Sequence, residues 1–254
     1  MMADLILLLL VSIFIPLFPM SMVFNAIVDK ITNCWIRILI FSIWPLTGLM
    51  ILHFSSIRLP DWLTYLALGT SMLYALRILT LREVNQWTGF LATSLWSLLW
   101  LAVIENTSAS LLYGYAISMS IPLVMLLQLS AGLEKRYGAA YTGLYGGLAR
   151  SIPRFAGVLV TVVVAAIATP FFPTFFIMLD LVVATVSSAP LVAIMLLLIW
   201  LLWSWAGARL IQGLIVGRAS EVDIDDLNTS TVSIFSLLLL VLAIYGIYLS
   251  GVIL

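Results

Sequence analysis

Charge is what this sequence has least of: charged residues make up 9% of its 254 positions, against about 25% in a soluble globular domain. That is too little to solvate the surface of a water-soluble fold. Lysine and arginine number 11, as do aspartate and glutamate, for a net charge of +0. No basic excess exists to hold a phosphate backbone, which argues against a nucleic-acid partner. Cys34 is the single cysteine, so no internal disulfide can form. His53 is the single histidine and cannot build a multi-histidine metal site. The chain has no Gly-x-Ser-x-Gly elbow, no HExxH, no phosphate-binding glycine loop and no CxxC. It is therefore not expected to be an enzyme by itself, and no cofactor or metal is expected. Nor is a cleavable leader expected, because Leu5 to Met22 is too long an apolar run for a short leader core and no basic stretch precedes it.

What is abundant is apolar sequence. Hydrophobic residues are 64% of the chain and the mean hydropathy is +1.22. Apolar runs of roughly 18 or more residues recur and read as transmembrane helices. In lipid the backbone must satisfy its own hydrogen bonds, which leaves a helix bundle or a closed barrel. Barrel strands would alternate apolar and polar residues, whereas these runs are continuous. The expectation is an all-α polytopic transmembrane bundle of about nine helices in a lipid bilayer. Its segments run near Leu5–Phe24, Trp35–Leu52, Trp62–Leu79, Trp87–Ile104, Ala109–Leu129, Phe155–Thr169, Thr174–Ser187, Leu191–Val216 and Val232–Leu249. One helix is expected to be short or broken near Pro170 to Pro190. Residues 1–56 form an N-terminal helix pair, 57–218 the main bundle, and 219–254 an acidic loop and a last helix.

Basic residues in short loops set orientation. With nine spans, the odd loops hold Lys30, Arg37, Arg77, Arg82, Lys135, Arg136, Arg150 and Arg154, and the even loops Arg58, Arg209 and Arg218. This places the N-terminus outside and the C-terminus in the cytoplasm. A re-entrant seventh segment would reverse the last two spans and carry the C-terminus outside.

An ionisable group inside a span costs about 2.5–3.5 kcal/mol on insertion scales, so it faces protein or water and is a functional candidate. Asp180 is the clearest, with no basic neighbour in sequence; Arg209 on the next segment is its expected partner. The acid is either a proton-relay group or half of a structural ion pair. Arg77 can snorkel to the interface, Glu105 reads as interfacial, and His53 can titrate near neutral pH. Glu134, Lys135 and Arg136 read as a loop edge. The connector with Gly138, Gly143, Gly146 and Gly147 reads as a flexible link or a close backbone approach. The hydrophilic stretch Gly217 to Asn228, with Glu221, Asp223, Asp225 and Asp226, lacks the ligand ladder of a calcium loop and reads as a solvated acidic loop or docking surface.

Several blocks between about Asp61 and Arg218 resemble the distal half of the proton-pumping antiporter-like subunits of respiratory complex I, a family also found in multi-subunit Na+/H+ antiporters, membrane-bound hydrogenases and inorganic-carbon accumulation complexes. Leu81-Arg82-Glu83-Val84-Asn85-Gln86, then Gly89-Phe90 and Ser94, is similar to the block in which an acid and a Lys-Arg pair open a helix. Gly146-Gly147-Leu148 and Pro153 resemble the Gly-Gly-Leu and proline before the next helix. Ala168-Thr169-Pro170, Pro173, Phe175-Phe176 and Asp180 resemble the Gly-x-Pro, Phe and Gly-Glu block, and Trp203 to Gly217 with Arg209 a helix end. The departures are equally marked. The family's Lys-Arg pair is here Asn85-Gln86, its membrane histidine would fall near Ser118, Met119 and Ser120, and its glutamate is at best replaced by Asp180. Family members run to about fourteen helices with two inverted half-channels, and this chain is too short for both.

The resemblance implies an accessory subunit of a larger proton-coupled complex in a bacterial inner membrane. Its partners would be a full-length antiporter-like homologue and other membrane or soluble subunits, and it would scaffold or complete a proton path without pumping alone. The alternative is a stand-alone small-solute or ion secondary transporter, which an internal repeat would favour.

Overall fold

The computed structural model describes residues 2–55, 59–144, 146–217 and 225–253. Arg58, Tyr145, Arg218, Glu221 and Asp223 lie outside the described residues. The described chain is helical with no named strand: α1 Met2–Phe14, α2 Ser21–Lys30, α3 Cys34–Phe54, α4 Trp62–Ile78, α5 Val84–Ser97, α6 Leu99–Ile104, α7 Ala109–Tyr137, α8 Leu148–Ser151, α9 Pro153–Ala166, α10 Pro173–Val186, α11 Pro190–Ile215 and α12 Thr229–Ile253. This is an all-α membrane helix bundle. Five stretches are long and apolar enough to cross a bilayer singly: Cys34–Phe54, Val84–Ile104, Ala109–Tyr137, Pro190–Ile215 and Thr229–Ile253.

The other passes are made of pieces. The first expected segment, Leu5–Phe24, is not one helix. Pro16 and Pro19 lack the N–H that a continuous helix needs, and the chain breaks between α1 and α2. α2 then runs on to Lys30, so the two halves make one pass. The sixth and seventh segments likewise form a single pass, interrupted between Ala166 and Pro173. Trp200 of α11 marks the level of that break, since its indole bonds Ala168 O and its ring meets Phe175. From there α10 continues away from α9 and turns back into α11. The short element expected near Pro170 to Pro190 is thus the second half of a broken helix. Joined in this way, the described helices make eight runs between the two ends of the bundle, and the last ends on the side where α1 begins.

With this topology the basic residues fall at one end. Of the eleven Lys and Arg, Arg58 and Arg218 are not described. The remaining nine all stand at the end where α2, α4, α7 and α11 finish and α3, α5, α9 and α12 start. Glu134, Lys135 and Arg136 are not a loop edge there but the final turn of α7. Positive charge in that turn complements the helix dipole, and Gly138, at φ 80°, closes it by donating to Glu134 O.

The loops at this end are tied together. Val84 N donates to Ala140 O, Thr142 N to Arg82 O, and Glu83 pairs with Tyr141 in an isolated antiparallel bridge. The glycine connector works by close approach: a Cβ on Gly146 would stand 2.6 Å from Val216 O. Gly147, at φ 76°, opens α8, and Pro153 occupies the first turn of α9. Asp226 caps α9, its two carboxylate oxygens accepting from Phe155 N at 2.9 Å and Arg154 N at 2.8 Å. These are orphan donors of a helix start. The acidic stretch is therefore not simply solvated, for its described end is a structural clasp. Arg136 strengthens it through Asp225 O and by lying over the Phe155 ring.

α5, α6 and α7 form the buried centre, while α3, α11 and α12 expose apolar faces. The N-terminal helices belong to the same packed body, α3 lying on α7 and α2 on α5. Around the first break Phe24 touches Phe41, Trp44 and Trp96 with ring centres 5.2–5.4 Å apart. Such pairs add to area burial.

Candidate functional site

Breaking a helix inside a bilayer strands carbonyls where no water can reach them, and each must find a donor. Here the donors are indoles from neighbouring helices. Pro19 cannot donate to Ile15 O; Trp100 Nε1 does so at 3.0 Å. Leu17 N turns to Ser12 O, and Trp44 Nε1 takes the vacated Ile13 O at 2.9 Å. At the second break Trp200 Nε1 reaches Ala168 O at 2.8 Å and the Thr174 hydroxyl takes Ala165 O at 3.0 Å. Pro170 lies in the break and Pro173 starts α10. Ala168 and Phe171 carry positive φ of 59° and 79°, a costly conformation for residues with a Cβ. The interruptions are built and satisfied features of the fold.

Between the two breaks runs a seam of buried hydroxyls on α4 and α5. Ser71 and Ser94 lie 3.0 Å apart, each also donating to the other's carbonyl at 2.8 Å. Trp203 Nε1 of α11 donates to Ser94 Oγ at 2.8 Å, and Ser97 Oγ bonds Ser94 O. Toward the charged end, Ser21 meets the Tyr74 hydroxyl at 3.0 Å and Asn25 donates to Thr93 Oγ1 at 3.0 Å. The seam leads to a vestibule of about 340 Å³ lined by Asn25, Asp29, Arg37, Arg77, Glu83 and Asn85. At its mouth, Asn85 donates to Glu134 at 2.6 Å and Gln86 to Asp29 at 3.2 Å. The two amides that stand where the resembling family has Lys-Arg thus still reach carboxylates, but carry no charge. Outside the bilayer, the Glu83 carboxylate beside Tyr141 raises the pKa of that exposed phenol.

Asp180 stands apart from this seam. It is half-buried, and Tyr115 Oη of α7 donates to its Oδ2 at 2.7 Å. Arg209 is not its partner. α10 and α11 form a hairpin in which, at 1.5 Å per residue, Asp180 sits about 9 Å from the turn and Arg209 about 28 Å. Arg209 is exposed at the charged end beside a separate cavity. Arg77 is exposed in the last turn of α4, its guanidinium 5.2 Å over the Phe90 ring. Glu105 ends α6 and His53 ends α3; both are exposed at the opposite end. The structure therefore gathers only Arg77 into the vestibule and leaves Asp180, Arg209, Glu105 and His53 at separate places.

Ser118 and Ser120 send their hydroxyls to Gly114 O and Ala116 O of their own helix, so they form no bridge to another element. Among the described residues no hydrogen bond joins Asp180 and Tyr115 to the hydroxyl seam, and no three His, Cys, Asp or Glu side chains converge as metal ligands. Sequence reasoning from charge alone missed Tyr115 and the seam. Spacing offered a signal, since Ser71 and Tyr74 on α4, and Asn85, Thr88, Thr93 and Ser97 on α5, are polar residues in otherwise apolar helices.

No family model matches the chain, and no curated protein matches it. Solved structures do. A chain of respiratory complex I from Thermus thermophilus with bound NADH superimposes with a TM-score of 0.76 at 18% identity, covering 94% of this chain and 53% of that one. A chain of the Mrp complex from Dietzia sp. DQ12-45-1b gives 0.75 at 16% identity over 85% and 42%. A chain of the membrane-bound sulfane sulfur reductase, an archaeal respiratory membrane complex, gives 0.80 at 16% identity over 96% and 52%. This chain spans about half the length of the chains it matches. At these identities the likeness is one of architecture: the protein has the fold of these membrane-complex chains, in about half their length.

Proposed function

We propose that this chain is an accessory antiporter-like membrane subunit of a larger proton-coupled complex. It scaffolds that complex or completes its proton path and does not pump alone. One observation carries the reading: the interior of this antiporter-like fold holds polar groups that are nearly all hydroxyls and amides. A proton relay across a bilayer needs titratable groups in series. Here Asp180 is the single carboxyl more than one turn from a helix end among the described residues, and it has no hydrogen-bonded link to the seam.

The partners are a full-length antiporter-like homologue and further membrane or soluble subunits. The basic end faces the cytoplasm by the positive-inside rule, and a bacterial inner membrane is the natural location. Asp180 is the one acid placed to contribute a protonatable group to a path shared with a neighbour. Affinity purification of the tagged chain from native membranes tests this. A full-length antiporter-like chain is expected to co-purify in stoichiometric amount. Recovery of the chain alone under conditions that preserve membrane complexes would contradict it.

A further inference from the structure

A second cavity, of about 440 Å³, opens at the basic end between the α4–α5 turn, the connector at Thr142-Gly143 and the last turns of α11. Arg82 and Arg209 both line it, with Gln212 beside them. Both arginines are exposed, and neither forms an ion pair or side-chain hydrogen bond among the described residues; no carboxylate belongs to the lining. Two uncompensated guanidiniums beside one hollow are an anion site, and their planar forks suit phosphate oxygens. Leu81, Trp87 and Leu210 back the cavity.

The surroundings place the hollow at a membrane interface. Trp205 lies one turn before Arg209 on α11 and is 57% exposed, and Leu76 on the adjoining α4 is 50% exposed. An exposed tryptophan just inside a basic helix end marks the headgroup boundary. An inorganic anion would use the arginines but not these exposed apolar side chains; a phospholipid would use both. We infer that this cavity binds the phosphate headgroup of an anionic phospholipid, with Arg82 and Arg209 on the phosphate and an acyl chain along Leu76 and Trp205. Basic pockets between helices on the cytoplasmic side serve this purpose generally. The site is independent of the proposed role in a complex.

The test is native mass spectrometry of the purified full chain in mild detergent. Phosphatidylglycerol and phosphatidylcholine of identical acyl chains are added in turn, and inorganic phosphate in a parallel thermal-shift arm. Phosphatidylglycerol is expected to bind preferentially, with the preference falling about fivefold in Arg82→Gln and in Arg209→Gln. Arg209→Lys keeps the charge and retains most of the preference, which separates lost binding from lost folding. Arg150→Gln, at the same end but outside the cavity, keeps it whole. Equal binding of the two lipids, a preference surviving in the double variant, or protection by inorganic phosphate equal to that by the lipid would each overturn the inference.

Discussion

Tyr115 donates its hydroxyl to Asp180 Oδ2 at 2.7 Å, across the contact of α7 with α10. A neutral phenol is thus the hydrogen-bond partner of the only described carboxyl more than one turn from a helix end. Tyr115→Phe should lower stability by about 1 kcal/mol, as expected for an interhelical hydrogen bond in a membrane protein. Asp180→Asn should cost less, because the amide oxygen can still accept. Urea or thermal unfolding in detergent measures both, and a Tyr115→Phe cost at or below that of Asp180→Asn would show that the bond contributes little.

The functional claim on Asp180 is separate from stability. Asp180→Asn is expected to impair assembly or transport of the complex, while Asp225→Asn leaves both intact, since Asp225 offers only its backbone carbonyl to Arg136. Assembly is followed by native gel and transport in membrane vesicles. Normal assembly together with normal transport in Asp180→Asn would remove the role assigned to that acid.

The indole caps make a prediction with an internal control. Trp200→Phe and Trp44→Phe keep an aromatic ring but leave Ala168 O and Ile13 O without a donor. Trp96 is fully buried, yet its Nε1 has no partner. Replacing Trp by Phe loses similar volume at each site, so the capped positions should cost about 1 kcal/mol more than Trp96→Phe. Equal unfolding midpoints for the three variants would mean that the indole bonds do not hold the breaks.

Much of the fold was legible. Continuous apolar runs gave the helices, and α3, α4, α7, α11 and α12 start within a few residues of where hydropathy places them. The break at Pro170 to Pro173 was also visible. Proline content alone did not show that Pro16 and Pro19 divide a pass into halves, because proline can also sit inside a continuous helix, as Pro45 and Pro122 do here. The caps were hidden for another reason: Trp100 to Ile15 and Asp226 to Phe155 join residues 85 and 71 positions apart. For Asp180, charge in the sequence points to a cation, whereas its partner is the neutral Tyr115, 65 positions away. The Arg209 pairing could have been rejected from the sequence, since counting residues from the α10–α11 turn already separates the two levels by nearly half a bilayer.

The connector and the clasp give a paired stability test. Gly146→Ala places a methyl group 2.6 Å from Val216 O and should lower the unfolding midpoint, whereas Gly157→Ala meets nothing within 4 Å and adds helix propensity of about 1 kcal/mol. Asp226→Ala removes the cap of α9 and should cost about 1 kcal/mol. Circular dichroism melts in a fixed detergent read all three, and a stabilising Gly146→Ala would refute the close approach.

The central claim is that this chain does not move protons by itself. Purified full-length chain is reconstituted into sealed liposomes carrying a trapped pH-sensitive dye, and an ion gradient or a potential is imposed. Dye response no faster than in protein-free liposomes is the predicted result. Robust, protein-dependent acidification by the chain alone would contradict it.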